Sequence, residues 1–214
     1  MTNFKDISHH ISDALLTSYA SGSLEQHYAL VVAAHVSMCD ECRARLETHH
    51  MAGGAIVEST DAVELAQDAK SNVFAQLDER VTEAPVYHKS GVFPAPVMAA
   101  LKGQPPKWKS LGFGVRQSVL HSDKSGSARL LYIPGGEAVP EHGHRGIEMT
   151  LVLQGSFRDE TGSFGVGDIE IADDDLNHTP VADKGPACIC LAATGAPLRF
   201  RSLMPRLFQP IFGI

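Results

Sequence analysis

The sequence predicts an α+β chain of two domains, a small all-α module followed by a β-barrel. Three observations lead there. Apolar residues recur at helix spacing only up to about residue 80, a stretch rich in proline and glycine follows, and beyond Trp108 short apolar runs alternate with turn residues. The expected boundaries are 1–84 for the helical domain, 85–108 for a linker, 109–205 for the barrel and 206–214 for a C-terminal tail.

Leu15, Leu16 and Tyr19 mark the apolar side of a first helix, with Ser12-Asp13 to cap it and Gly22 to close it. Tyr28, Leu30, Val31 and Ala34 mark a second, and Ser23-Leu24-Glu25-Gln26 fits a capping box with Ser23 as the N-cap. A third helix is expected from near Asp40 past Leu46, interrupted at Gly53-Gly54, and a fourth over 71–80. Pro85, Pro94, Pro96, Pro105 and Pro106, with Gly91 and Gly103, make 85–108 a linker or irregular lead-in. Strands are expected at 114–120, 127–133, 149–153, 156–158, 168–171, 188–192 and 198–200. Many short strands at such spacing close into a sandwich or barrel.

Hydrophobic residues make up 43% of the chain and charged ones 20%, the balance of a globular protein and not of a disordered one. No apolar run approaches the ~20 residues of a membrane helix, and residues 1–6 lack the apolar core of a signal peptide. A cytoplasmic chain without membrane contact is expected. The four cysteines, Cys39, Cys42, Cys188 and Cys190, are too few and too closely paired for a secreted disulfide framework. The net charge of −7 is uneven, about −8 over residues 1–84 and +1 over the rest. An acidic domain is a poor ligand for phosphates, so direct DNA binding is not expected. It suits a basic protein partner, although a merely solvated surface would carry the same balance.

His35-Val36-Ser37-Met38-Cys39-Asp40-Glu41-Cys42 has the spacing H-x3-C-x2-C. Residues four apart share a helix face, so His35 and Cys39 converge and Cys42 closes across a turn. Two thiolates and an imidazole suit tetrahedral Zn²⁺. The fourth ligand comes from elsewhere, with His10 the first candidate and His9 its rival. Core thiols beside a surface histidine would be the bland alternative, but three ligand types seldom fall at this spacing by accident.

The run His10-x2-Asp13-x-Leu15-Leu16-x2-Tyr19-x2-Gly22-x-Leu24, continued by His35-x3-Cys39-x2-Cys42-Arg43, resembles the zinc-binding anti-sigma module, most closely that of the ChrR family. The likeness covers nearly the whole chain. It implies four helices that clamp an extracytoplasmic-function (ECF) sigma factor in a 1:1 complex, hiding the surfaces that meet core polymerase and promoter DNA.

A second constellation follows at Gly136-x5-His142-x-His144-x3-Glu148-x6-Gly155. Residues two apart on a strand point to one side, so His142 and His144 pair. Glu148 follows as the chain enters the next strand, whose Leu151 and Leu153 are expected to pack the barrel interior. Two imidazoles and a carboxylate offer one divalent ion three ligands. The pattern resembles the first cupin motif at every defined position, implying a double-stranded β-helix, or jelly roll. The resemblance places His178 of His178-Thr179-Pro180 as a fourth ligand. The usual P-x-G turn is absent, however, and the span from Gly167 to His178 is long. These ligands accept zinc, iron, manganese or nickel; ChrR resemblance implies zinc, a response to singlet oxygen and related oxidants, and a barrel needed for sigma release.

Cys188-Ile189-Cys190 sets two thiols on one strand face, open to oxidation during sensing but equally ordinary as buried residues. Met38, inside the first metal loop, is open to oxidation but equally a packing residue, and Glu141, beside His142, is placed to contact a ligand or proton at the second site; His27 and His49-His50 have no partners at ligand spacing and read as surface residues. No Ser-His-Asp set, phosphate-binding loop or dinucleotide fingerprint occurs. The expected function is therefore regulatory and not enzymatic; the alternative is a metal-dependent cupin dioxygenase with an accessory zinc domain.

Overall fold

The computed structural model describes residues 7–77, 84–140, 142–143, 146–174, 176–195 and 199–200, the two short segments 142–143 and 199–200 as backbone alone. Five helices come first: α1 (Asp13–Ala20), α2 (Gln26–Val36), α3 (Asp40–Glu58), α4 (Ala69–Gln76) and α5 (Ala95–Ala100). Twelve strands follow: β1 (Lys109–Gly112), β2 (Val115–Ser122), β3 (Ser127–Ile133), β4 (His142–Gly143), β5 (Glu148–Gln154), β6 (Phe157–Arg158), β7 (Ser163–Phe164), β8 (Ile169–Ala172), β9 (Asn177–His178), β10 (Val181–Ala182), β11 (Cys188–Thr194) and β12 (Arg199–Phe200). A helical region and a β-sandwich are thus both present. The expected tail at 206–214 lies outside the described residues.

Local chemistry explains the helix ends, with two departures from expectation. Ser12 Oγ accepts from the Leu15 N–H at 3.4 Å to start α1, and Gly22 at φ +70° turns the chain after it. Helix α2 has no capping box: Glu25 stands at its N-cap, while Ser23 Oγ donates to the Ser18 carbonyl. Helix α3 runs unbroken through Gly53-Gly54 for 19 residues. Neither glycine takes a positive φ, and the helix formers around them offset a cost of roughly 0.5–1 kcal/mol each.

The stretch read as a linker contains α5. Prolines at its N-cap and second position cost no helical hydrogen bond, and Val97 is fully buried in a core shared with α2. The apolar residues of so short a helix span less than two turns, so periodicity does not reveal it.

A six-stranded antiparallel sheet has the order β1-β2-β3-β11-β5-β8, and two three-stranded sheets, β10-β6-β7 and β12-β4-β9, complete the sandwich. Strand β11 explains the architecture. All seven of its residues are buried, because its alternating side chains meet two different cores. Ile189, Leu191 and Ala193 face the helices, whereas Cys188 and Cys190 join Val152, Phe157 and Phe164 inside the sandwich. The same alternation corrects one expectation on β5. Glu148, Thr150 and Val152 turn inward, so Leu151 and Leu153 lie on the other face and pack toward the helices.

Helix α2 is the bridge. Val31 and Val32 are fully buried in the cluster that also holds Leu130, Leu151 and Leu191 of the sheet, each such side chain stabilising by roughly 1.5–3 kcal/mol. Tyr28 Oη donates to the Ile147 carbonyl at 2.6 Å. A Cβ on Gly195 would lie 2.7 Å from that hydroxyl, so only glycine permits the approach. Tyr28→Phe is expected to cost about 1 kcal/mol and lower the calorimetric Tm of the intact chain by about 2–4 °C; an unchanged melting curve would mean the bond adds nothing.

Candidate metal centres

The first cluster gathers residues from three separate elements. His35 lies in the last turn of α2, Cys39 is the N-cap of α3, Cys42 sits in the first turn of α3, and His10 precedes α1. One ligand-type atom from each of the four lies within 4.8 Å of all the others. His10 Nδ1 stands 3.4 Å from Cys39 Sγ and 3.6 Å from Cys42 Sγ. A tetrahedron with zinc bonds of about 2.0–2.3 Å has edges of about 3.3–3.8 Å. The donor set and its spacing therefore fit Zn²⁺. His9, the rival, points elsewhere: its ring packs on Phe164 at 4.4 Å, and its Nδ1 lies 3.5 Å from Asp168 Oδ1.

The electrostatics also suit a cation. His35 is fully buried, and among the described residues neither ring nitrogen has a hydrogen-bond partner. Burial drives its pKa down to about 4 against the opposing pull of the Gly167 carbonyl, so the ring is neutral and a lone pair is available. Burial likewise pushes the Cys42 thiol up to about 11, with the Cys39 sulfur adding to it. Thiolates here thus need a positive charge between them. The amino end of α3 supplies part, since Cys39 Sγ accepts from the Cys42 N–H at 3.5 Å.

Two neighbours were not among the expected site residues. Glu41 Oε2 lies 3.3 Å from His10 Nε2, the carboxylate–histidine relation that orients a metal ligand. Arg45 reaches from the next turn to Cys42 Sγ at 3.9 Å and to Asp13 Oδ1 at 2.7 Å. Helical spacing from Cys42 could have suggested Arg45. Met38 is a partly buried packing residue beside the cluster.

The second constellation is assembled by strand pairing. His142 of β4 is in direct register with His178 of β9. The side chain of His142, and His144 and Glu141 entirely, lie outside the described residues. Glu148 and His178 are buried, with Glu148 Oε2 4.0 Å from His178 Nε2. On its other side His178 Nδ1 meets Asp159 Oδ2 at 2.7 Å and Glu170 Oε1 at 3.2 Å. Asp159, Glu170 and His178 themselves form a close group of ligand-type residues. Nδ1 is held by carboxylates and Nε2 lies on the side of Glu148, so these buried imidazole and carboxylate donors fit a divalent ion there.

Burial opposes a charge on His178, but Glu170 and Asp159, with Glu148 beyond them, outweigh it and raise its pKa to about 9. Burial raises Glu170 to about 7. Burial also opposes ionisation of Asp159, yet hydrogen bonds from Glu170, Thr161 and His178 hold it well below the usual carboxylate range. Asp159 and Glu170 were not among the ligands expected from the sequence. Glu170 did leave a trace, an acid at an inward position of an otherwise apolar strand.

Arg129 was also missed. It is buried on the inner face of β3, donating to Gln117 Oε1 at 3.0 Å and Ser127 Oγ at 2.6 Å. Cys188 and Cys190 are both buried with sulfurs 3.4 Å apart, and Cys190 lines the same cavity as Glu148, Glu170 and His178. The Cys188 thiol beside it and burial together raise the Cys190 pKa. His27, expected at the surface, is fully buried between α2 and the Gly126 turn, where a Cβ on Gly126 would lie 2.5 Å from its ring; burial lowers its pKa.

Comparison with known proteins gives three findings. Residues 98–197 match the family model of the ChrR cupin-like domain. The chain is 54% identical over 211 residues to the anti-sigma-E factor ChrR of Cereibacter sphaeroides, covering 97% of this chain and 99% of that protein. A crystal structure of Rhodobacter sphaeroides SigE in complex with the anti-sigma ChrR superposes with a TM-score of 0.80 at 52% identity, covering 88% of this chain and 99% of that one. Among the described residues no helix is long and apolar enough to cross a membrane.

Cys42→Ser is expected to lower zinc by one atom per chain in elemental analysis of the full-length protein; unchanged zinc would exclude the cluster as a site. Zinc must displace the Cys42 proton at any pH below its raised value of about 11. Affinity measured by chelator competition should therefore weaken by at least about tenfold per unit as pH falls from 9 to 7.

Proposed function

The chain belongs to the ChrR family of anti-sigma factors, and on that premise we propose that its helical region binds and inhibits an ECF-type sigma factor in a 1:1 complex. One observation carries this reading. Among the described residues, the second half of α3, its connection to α4, and α4 itself contribute no buried residue. They leave Met51, Ile56, Val57, Val63, Leu65, Val73, Phe74 and Leu77 between 58% and 83% exposed. An exposed apolar surface of this extent marks an interaction site. Residues 1–84, which include it, carry an acidic surplus, which steers a basic partner and disfavours DNA.

His10, His35, Cys39 and Cys42 would hold one Zn²⁺, which joins the start of α1, the end of α2 and the start of α3 and so fixes the root of the projecting helices. His142, His144, Glu148 and His178 would hold a second divalent ion, zinc in this reading. The bound cation there supplies a fixed positive charge and open coordination positions. Asp159 and Glu170 keep the His178 ring oriented, and Cys188 and Cys190 set two thiols beside it. Oxidants such as singlet oxygen, acting at or near this site, then weaken the hold on the sigma factor. In this role the protein is a negative regulator of transcription acting in the cytoplasm, and catalyses no reaction. The domain division at 1–84 and 109–205 goes with it, α5 serving as the packed joint.

The direct test is titration of the full-length chain with SigE, the sigma factor crystallised with the relative, followed by calorimetry. Saturable 1:1 binding is expected, weakened at least about tenfold, or 1.4 kcal/mol, by Phe74→Asp. Absence of binding, or a Phe74→Asp variant as tight as the parent, would overturn the proposal. In the same complex, Cys188→Ala/Cys190→Ala is expected to leave binding unchanged and slow release under photosensitised singlet oxygen; unaltered release would remove the thiols from the mechanism.

A further inference from the structure

Between the two clusters lies a short, continuous set of contacts. At the head of β8, Asp168 is buried, and its Oδ1 accepts from the N–H of Ser8 at 2.7 Å, the N–H of His9 at 2.9 Å and the hydroxyl of Ser8 at 3.3 Å. Its Oδ2 accepts from the Gly165 N–H at 2.8 Å, which fixes the carboxylate in the turn between β7 and β8. The Ile169 N–H reaches back to the His9 carbonyl at 3.3 Å. Residues 8 and 9 are thereby tied to the barrel by backbone and carboxylate, and the next residue is His10.

The preceding residue of the same turn makes a second contact. Gly167 has φ +93°, and a Cβ there would lie 2.6 Å from Ile7 Cδ1. The side chain of Ile7 thus packs directly on the turn backbone, and the Gly167 carbonyl stands beside the His35 ring. One barrel turn therefore holds the backbone of residues 8 and 9, next to His10, and stands beside His35, so two of the four residues of the helical cluster adjoin it. Two residues further along β8, Glu170 touches His178 Nδ1 at 3.2 Å. Strand β8 ends the six-stranded sheet and pairs within it with β5 alone. A four-residue terminal strand of this kind shifts at lower cost than a central one.

We propose that Asp168 is a positioning residue for the helical metal site, and that the start of β8 carries the state of the barrel site to it, from Glu170 through Ile169 to Asp168. The proposal rests on the anti-sigma reading for its biological meaning but not for its physical content. A change in how His178 is held displaces Glu170, the strand and its leading turn move together, and the backbone of residues 8 and 9 loosens next to His10. The root of the sigma-binding helices is then altered without any partner contact at the barrel.

Amide hydrogen exchange of the free, Zn²⁺-loaded full-length chain tests this without a sigma factor. Asp168→Ala is expected to speed exchange at residues 8 and 9 by about tenfold or more while leaving β3 and β11 protected. His178→Gln should speed the same two amides although it touches neither. Combined with Asp168→Ala, it should add nothing further, because the link is already cut. Glu170→Gln serves in place of His178→Gln where that variant does not fold. Zinc release from the helical site, followed with a chromogenic chelator, should quicken about tenfold in each single variant and no more in the double. Protection at residues 8 and 9 that ignores both His178→Gln and Glu170→Gln would overturn the proposal, as would effects that simply multiply. Failure of SigE binding would instead count against the anti-sigma reading alone.

Discussion

Helix α2 has almost no solvent side, and this confinement shapes the molecule. Its flank, through Val31 and Val32, is packed on the apolar face of the sheet around Leu130, Leu151 and Leu191. Its last turn delivers His35 to the cysteines of α3. A single helix therefore belongs to the barrel's packing and to the helical cluster at once. Because packed interiors yield by discrete rearrangement and not by gradual deformation, disturbance on one side of α2 is felt on the other.

The distribution of burial divides the helical region into two parts with different tasks. The first half of α3 is anchored by Cys42 and Leu46, whereas the second half and α4 bury no residue. An isolated helix of eight residues is marginal in water, so α4 is a segment that gains from a partner. The cluster of His10, His35, Cys39 and Cys42 holds the start of the anchored half of α3, ahead of Leu46 and the bare half.

Charge is handled differently at the two clusters. The helical one is a neutral imidazole and a raised Cys42 thiol in an apolar setting, a hole for a cation with little else to balance. Around His178 the protein has placed three carboxylates, from Glu148, Asp159 and Glu170, with a buried arginine nearby. Networks of this kind respond strongly to the loss of one member, because every remaining charge is left in low dielectric. A structural role suits the first arrangement and a responsive role the second.

Local spacing was enough to foresee His35, Cys39 and Cys42, since a helix and one turn bring them together, and enough to foresee α1, α2 and the long strands β2, β3, β5 and β11. It also supplied the α+β class, because period and turn chemistry are properties of neighbouring residues. It did not supply Asp159, Glu170, Arg129 or Asp168. Asp168 meets a residue 160 positions away, and Asp159, Glu170 and Arg129 act through contacts made across neighbouring strands and turns, which local spacing does not reveal. The two-residue strands and α5 were hidden because a period cannot be counted in so few residues. Gly53-Gly54 misled for the opposite reason: a weak local preference was overridden by the helix around it. Which face of β5 meets the helices, and which surface of the helices stays bare, is decided only when sheet and helices pack together, since burial belongs to the pair of surfaces and not to either sequence alone.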